Sequence, residues 1–288
     1  MAKKNLFLHI LSRFIPNKIM RKHSYEREYR KIQKSALGCL LKSNAGFKNL
    51  HKGQRCFVLG NGPSLSAVDL SLLKDEITFT VNDLYYHGQF DRINTTYHLF
   101  ADPFYYIDLE ATISKLLEKS EPRAIFLDRG ACKTILEHAY QKKYPVSIYA
   151  NGMEIEDLKY LPIDLCKMLP YFCTVVQSAI AIAVYMGFQE IYLLGCDCTG
   201  IINYIERKNG QEMTEYAFQL PKEVQTKQQQ TVYITSEHIF YEWYHIFKSY
   251  RIIRDLLEGM QVKLINLTGS SILDSLEKGN LEDVIQSK

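Results

Sequence analysis

The stretch Cys56-Phe57-Val58-Leu59-Gly60-Asn61-Gly62-Pro63-Ser64-Leu65 decides the fold class of this 288-residue chain. An apolar run passes directly into two glycines and a proline. That order predicts a buried strand, a tight turn and a helix start, with Pro63 in the first turn where its missing N–H costs nothing. Glycines let a backbone approach a ligand closely, and the free N–H groups of a helix start face an anion. The third glycine of a dinucleotide fingerprint is replaced by Leu65, and no Gly-Lys-Ser/Thr follows, so neither that motif nor a P-loop is present.

Working outward, the same grammar repeats. Apolar runs occur at Cys56–Leu59, Ile77–Val81, Tyr97–Ala101, Ala124–Leu127, Val146–Tyr149, Ile191–Leu194 and Val262–Ile265. Helical patterns lie between several of them, clearest at 104–118, 131–140, 174–186 and 237–258. Strands alternating with helices imply an α/β, Rossmann-like fold: a largely parallel sheet with helices on both faces. Ligands of such sheets bind beyond the carboxyl ends of the strands. Those ends carry Gly60-Asn61-Gly62-Pro63-Ser64, then Asn82-Asp83, then Asp102, and Gly195-Cys196-Asp197.

The net charge of +3 hides an asymmetry. Residues 1–55 hold 14 Lys+Arg against Glu26 and Glu28, or +12, leaving 21 Lys+Arg and 30 Asp+Glu, or −9, in the rest. Residues 5–45 read as helical, broken at Pro16, and the basic head either meets an anionic membrane through residues 1–34 or packs on the acidic body. The expected organisation is a basic helical extension over 1–53 and a nucleotide-binding catalytic domain over 54–288, with the polar, Gln-rich stretch 198–236 as a lid. Seven cysteines without a Cys-x-x-Cys, and no signal peptide in 5–12, fit a reducing cytoplasm. The uncharged stretch 171–188 reads as a buried helix running into a strand rather than a membrane span. The head lacks the aromatic interleaving of single-strand nucleic-acid binders, so no nucleic acid is expected. Oligomeric state is left open.

Gly60-Asn61-Gly62-Pro63-Ser64-Leu65 after a strand, Val81-Asn82-Asp83, the stretch Met186 to Asp197, and Tyr216-Ala217-Phe218 together resemble the bacterial CMP-sialic-acid-dependent sialyltransferases, glycosyltransferase family 42. The first motif and the Gly–Asp strand end are also similar to the DUF115 and 6-hydroxymethylpterin diphosphokinase-like group. The resemblance covers about residues 54–275 and implies a GT-A-variant-like sheet. It implies donor-nucleotide contacts from Asn61, Ser64 and Asn82, with Asp102 near the donor sugar and Tyr216, seconded by Tyr204, on the donor phosphate. Where the sialyltransferases close on the nucleotide with Thr-Ser-Gly, this chain has Thr174-Val175-Val176. The family's base is a histidine shortly before the last long helix, and here His238 in Tyr-Ile-Thr-Ser-Glu-His stands two residues displaced.

The residues around His238 support that role separately. Ser236 is a fair N-cap, and a place near the positive end of a helix dipole favours the neutral imidazole a base needs. His238, Glu242, His245 and Ser249 form a stripe along the helix at 100° per residue, which makes His245 the second candidate. The histidines have no zinc spacing, and no Asp-x-Asp occurs, so no metal is expected. The expectation is therefore a metal-independent inverting glycosyltransferase using a CMP-activated acidic sugar and a surface-glycan acceptor, at the inner face of a bacterial cytoplasmic membrane. A Mg/ATP-dependent diphosphokinase-like enzyme and an inert nucleotide-binding protein are the alternatives.

Overall fold

The computed structural model describes residues 17–156, 162–206, 216–221, 224 and 235–287. Nine strands form one parallel sheet among them, in the order β6-β5-β4-β3-β2-β1-β7-β8-β9. The strands are β1 (Arg55–Leu59), β2 (Thr78–Val81), β3 (Tyr97–Phe100), β4 (Ala124–Asp128), β5 (Val146–Met153), β6 (Met168–Pro170), β7 (Glu190–Leu194), β8 (Lys263–Asn266) and β9 (Glu277–Lys278). The α/β, Rossmann-like expectation holds.

Alternation along the central strands divides the core. Val58, Phe79, Tyr97 and Phe126 face one cluster, while Phe57, Leu59, Ile125 and Leu127 face the other. The first face is covered by α5 (Val175–Tyr185) and α7 (Ser236–Gly259), the second by α2 (Ala36–Ser43), α3 (Leu109–Leu117), α4 (Cys132–Glu137) and α8 (Leu281–Gln286). Helix α5 is buried almost all round, which explains its lack of charge. Gln177 within it is fully buried; its Oε1 accepts from the Cys173 N–H at 3.0 Å and its Nε2 donates to the Ile246 carbonyl of α7 at 3.2 Å.

The described part of the head packs on the body. Helix α1 (Asn17–Gln33) carries exposed Lys22, Arg27, Arg30 and Lys31, while Ile32, Leu40 and Leu41 enter the core. Asn44 is fully buried and its Nδ2 donates to the carbonyls of Ile148 and Leu165 at 2.7 and 2.9 Å. His51 bonds the Tyr97 hydroxyl through Nε2 at 2.7 Å. Residues 1–16 lie outside the described residues, as does most of the 198–236 stretch. What is described of that stretch includes α6 (Gly200–Glu206) and the segment 216–221.

Candidate functional site

Successive strands β1 to β6 grow the sheet in one direction, and α5 then carries the chain back to β7 on the other side of β1. The crevice of an open parallel sheet lies at such a reversal, beyond the strand carboxyl ends. Here the turns after β1 and β7 touch. The Gly60 N–H donates to the Leu194 carbonyl at 2.8 Å and the Gly62 N–H to the Gly195 carbonyl at 2.9 Å. A Cβ at Gly60 would stand 2.5 Å from the Gly195 oxygen, and one at Gly62 would fall on Asp197 Oδ2. Gly195 itself has φ +62°, a conformation that favours glycine.

Asp197 ties three loops together. Its Oδ2 accepts from the Ser64 hydroxyl at 2.7 Å, and its Oδ1 accepts from the Ser64 N–H at 3.2 Å and the Ser270 hydroxyl at 2.9 Å. It is buried, lines the crevice, and is engaged by protein donors. Ser64 is therefore committed to Asp197. The N–H groups of Gly60, Gly62, Ser64 and Leu65 are all spent on protein acceptors. The segment after the turn is a short 3₁₀ helix, Pro63–Ala67, and no α-helix begins there. The expected cradle of free N–H groups for an anion is thus not formed: Asp197 and the β7 turn have taken the donors.

What the two turns do enclose is a cavity of about 260 Å³. Its floor is Gly60–Pro63 and the chain from Gly195 to Gly200; Val81 and Thr174–Val176 close one side, and Trp243, Ile246 and Tyr250 of α7 form an apolar wall. Tyr216 completes the lining and stacks on Phe218, centroids 5.5 Å apart. The Asn61 carbonyl holds this segment in place by accepting from the Ala217 N–H at 3.0 Å. Asn61 Oδ1 is buried and meets no hydrogen-bond donor among the described residues. Among the described residues no lysine or arginine lines the cavity. Burial, seconded by Asp197, pushes the Cys198 thiol up to about 12, so that the thiol stays protonated. Tyr250 is buried beside the Thr174 hydroxyl, and burial raises its phenol well above the ordinary value.

A neighbouring arrangement surrounds Asn82, at the end of β2. Its φ is +46°; its Oδ1 accepts from the Ala101 N–H at 3.3 Å and its Nδ2 donates to Asp102 Oδ2 at 3.3 Å. Buried His98 fixes this conformation, with Nδ1 on the Thr80 hydroxyl at 2.7 Å and Nε2 on the Asn82 carbonyl at 3.1 Å. A carbonyl only accepts, so the proton sits on Nε2, and burial holds His98 down at about 3. Loss of hydration raises the Asp102 carboxyl, and the hydrogen bond from the Asn82 amide offsets only part of that rise. Asp83 is buried and accepts from the Tyr105 hydroxyl at 2.7 Å, so it is a satisfied core acid facing away from the crevice lining.

Of the sequence candidates, Gly60, Asn61, Gly62, Pro63, Thr174, Val175, Asp197 and Tyr216 come together at the cavity. Neither His238 nor His245 lines it. The α7 face that does is the Trp243, Ile246 and Tyr250 side, and the histidine stripe lies about a third of a turn around the helix. His238 is exposed at the helix start, 4.0 Å from Glu242, and its backbone N–H donates to the Thr235 hydroxyl at 3.2 Å. Thr235, not Ser236, is the N-cap; the Ser236 hydroxyl is instead bonded to the Tyr204 hydroxyl at 2.6 Å. His245 packs on Tyr241, centroids 4.3 Å apart. Sequence reasoning singled out only the histidine stripe of this helix and missed Trp243, Ile246 and Tyr250; a tyrosine among apolar residues at helical spacing was the available signal that this face meets something polar. Among the described residues no group of three or more His, Cys, Asp or Glu is arranged to hold a metal ion, and no helix is long and apolar enough to cross a membrane.

No family model matches the chain, and no curated protein matches it in sequence. Among solved structures it is similar to the sialyltransferase CstII from Campylobacter jejuni in complex with a substrate analogue, cytidine-5′-monophosphate, at 18% identity and TM-score 0.47, over 79% of this chain and 85% of that one. The complex of CstII with CMP-3FNeuAc gives 16% and 0.45, over 79% and 86%. The MAf glycosyltransferase from Magnetospirillum magneticum AMB-1 gives 12% and 0.47, over 86% of this chain but 38% of that one. At such identities and scores a likeness assigns no substrate to this chain.

Proposed function

We propose that this chain is an inverting glycosyltransferase that works without a metal ion and transfers a CMP-activated acidic sugar to a glycan acceptor. The observation that carries the proposal is the cavity at the β1/β7 reversal, into whose wall Asn61 brings a buried Oδ1 with no donor among the described residues. A carboxamide oxygen in that state suits an N–H donor, as on the exocyclic amine of cytosine. At about 260 Å³ the cavity is slightly below the roughly 300–1,000 Å³ of pockets for drug-sized ligands, which matches a base and ribose better than a whole donor. Its apolar wall and spent N–H groups favour a nucleoside over a bare phosphate. The phosphate would then lie outside, toward Tyr216, whose hydroxyl would stabilise the charge of the departing nucleotide.

In this scheme the base belongs on the acceptor side of the anomeric carbon, opposite the leaving phosphate, and so outside the nucleoside cavity. His238 would take the acceptor hydroxyl's proton there, beside Tyr204 and Ser236. The acceptor would be a surface glycan, met at the inner membrane face by the exposed cations of α1. Replacing His238→Ala should lower CMP-sugar turnover about 10²–10⁴-fold while leaving CMP affinity intact. Full turnover in that variant would remove His238 from the scheme.

A further inference from the structure

The segment 216–221 brings Tyr216 to the cavity, and its backbone is held on both sides of Phe218. The Ala217 N–H donates to the Asn61 carbonyl at 3.0 Å, and Leu220 is buried. Phe218 between them packs against the core cluster on the second face of the sheet. Its ring also makes two contacts of its own. It stacks on Tyr216, with centroids 5.5 Å and planes 23° apart. It meets the His87 ring edge-on, with centroids 6.3 Å and planes 86° apart. Offset stacking and edge-to-face contact are the two arrangements that the quadrupoles of aromatic rings favour.

His87 is a fixed support. It follows the 3₁₀ turn Asn82–Tyr86 at the end of β2 and is buried. Its N–H donates to the Leu84 carbonyl at 2.8 Å, and its Nδ1 accepts from the Gln89 N–H at 3.1 Å, so the proton sits on Nε2. Burial holds its pKa below the ordinary histidine value, which keeps the imidazole neutral against Phe218. The three rings thus run in series from the end of β2 to the cavity lining.

Tyr216 is only half-buried. A half-buried phenol has several staggered rotamers open to it unless neighbours close them. Asn61 and Leu220 already hold the backbone, so what the Phe218 ring adds falls on the Tyr216 side chain. Neither Phe218 nor His87 lines the cavity. We propose that Phe218, with His87 supporting it, is a positioning residue for Tyr216: the stack fixes the direction of the phenol hydroxyl at the edge of the cavity. This rests on the reading of Tyr216 as the group that stabilises the departing nucleotide. A shift of ~1 Å at such a group costs up to ~10²-fold in rate.

The test is a double-mutant cycle on CMP-sialic acid turnover with Phe218→Leu, Tyr216→Phe and the pair, alongside CMP affinity and melting temperature. Phe218→Leu should lower kcat about tenfold and keep CMP affinity within about twofold. In the Tyr216→Phe background, where the hydroxyl is already gone, it should cost less than about twofold more. Phe218→Tyr, which keeps the ring, should stay within about twofold of wild type in kcat. An unchanged kcat in Phe218→Leu, or the same loss in both backgrounds, overturns the proposal, because plain packing would act without the hydroxyl. Phe218→Met takes the place of leucine if that variant does not fold. If wild type turns nothing over, or Tyr216→Phe matches it, the leaving-group reading falls alone. Nitration of Tyr216 by tetranitromethane, followed by peptide mass spectrometry with exposed Tyr171 as reference, then decides the positioning. A clearly faster reaction in Phe218→Leu than in wild type upholds it, and equal rates overturn it.

Discussion

Asp197 is where a single side chain does most to shape the site. Three donors from two loops converge on its carboxylate, so Asp197→Ala would strip them of their acceptor inside a buried crevice. A loss of roughly 2–3 kcal/mol in unfolding free energy is expected, read by denaturant titration. A change below ~0.5 kcal/mol would mean that water replaces it freely. His98 makes a second residue-scale prediction. Its folded value of about 3 lies below the ordinary 6.5, so the unfolded chain binds the extra proton first. Stability is therefore full above about pH 6.5 and falls as pH drops toward 3, by up to about 1.4 kcal/mol per pH unit for this group. Burial lowers His51 and His87 in the same sense, while Asp102 and Asp128, raised by burial, oppose it in the carboxylate range. Melting curves between pH 7 and 5 should show the decline, and His98→Gln should flatten it; an unchanged slope would contradict the buried neutral imidazole. At this scale the sequence named Asp197 but could not show its partners, since Ser64 and Ser270 lie 133 and 73 residues away.

The elements were legible where burial imposes a run. All seven apolar runs became strands; β1, β2, β3, β4 and β7 are buried along nearly their whole length and so need no polar alternation. β6 and β9 escaped notice: three residues ending in Pro170 and a Glu-Lys pair carry no apolar run to see. The helix expected after Gly62 is instead a 3₁₀ turn, in which Asp197, distant in sequence, holds both the hydroxyl and the N–H of Ser64. That junction depends on backbone contact between the β1 and β7 turns, which is a property of two elements. Gly60→Ala would push a Cβ to 2.5 Å from the Gly195 carbonyl, which backbone cannot yield cheaply. A fall in Tm of about 4–8 °C is expected, corresponding to roughly 2 kcal/mol at about 2–4 °C per kcal/mol. An unchanged Tm would show that the two turns are not in contact.

Across the whole molecule, one topological fact organises the rest: the sheet reverses its growth between β1 and β7, and the cavity opens where it does. Sequence alone indicated the polar strand ends but not which of them meet, because strand order is set by crossovers that no local pattern encodes. It also placed the base by helix position, whereas the packing of α7 turns Trp243, Ile246 and Tyr250 toward the cavity and leaves His238 at the helix start. Isothermal titration of CMP into wild type and Asn61→Leu tests the central claim most directly. Saturable binding to wild type, weakened at least tenfold in Asn61→Leu at an unchanged Tm, is the predicted result; no heat of binding to wild type, or equal affinity in the two proteins, would contradict it.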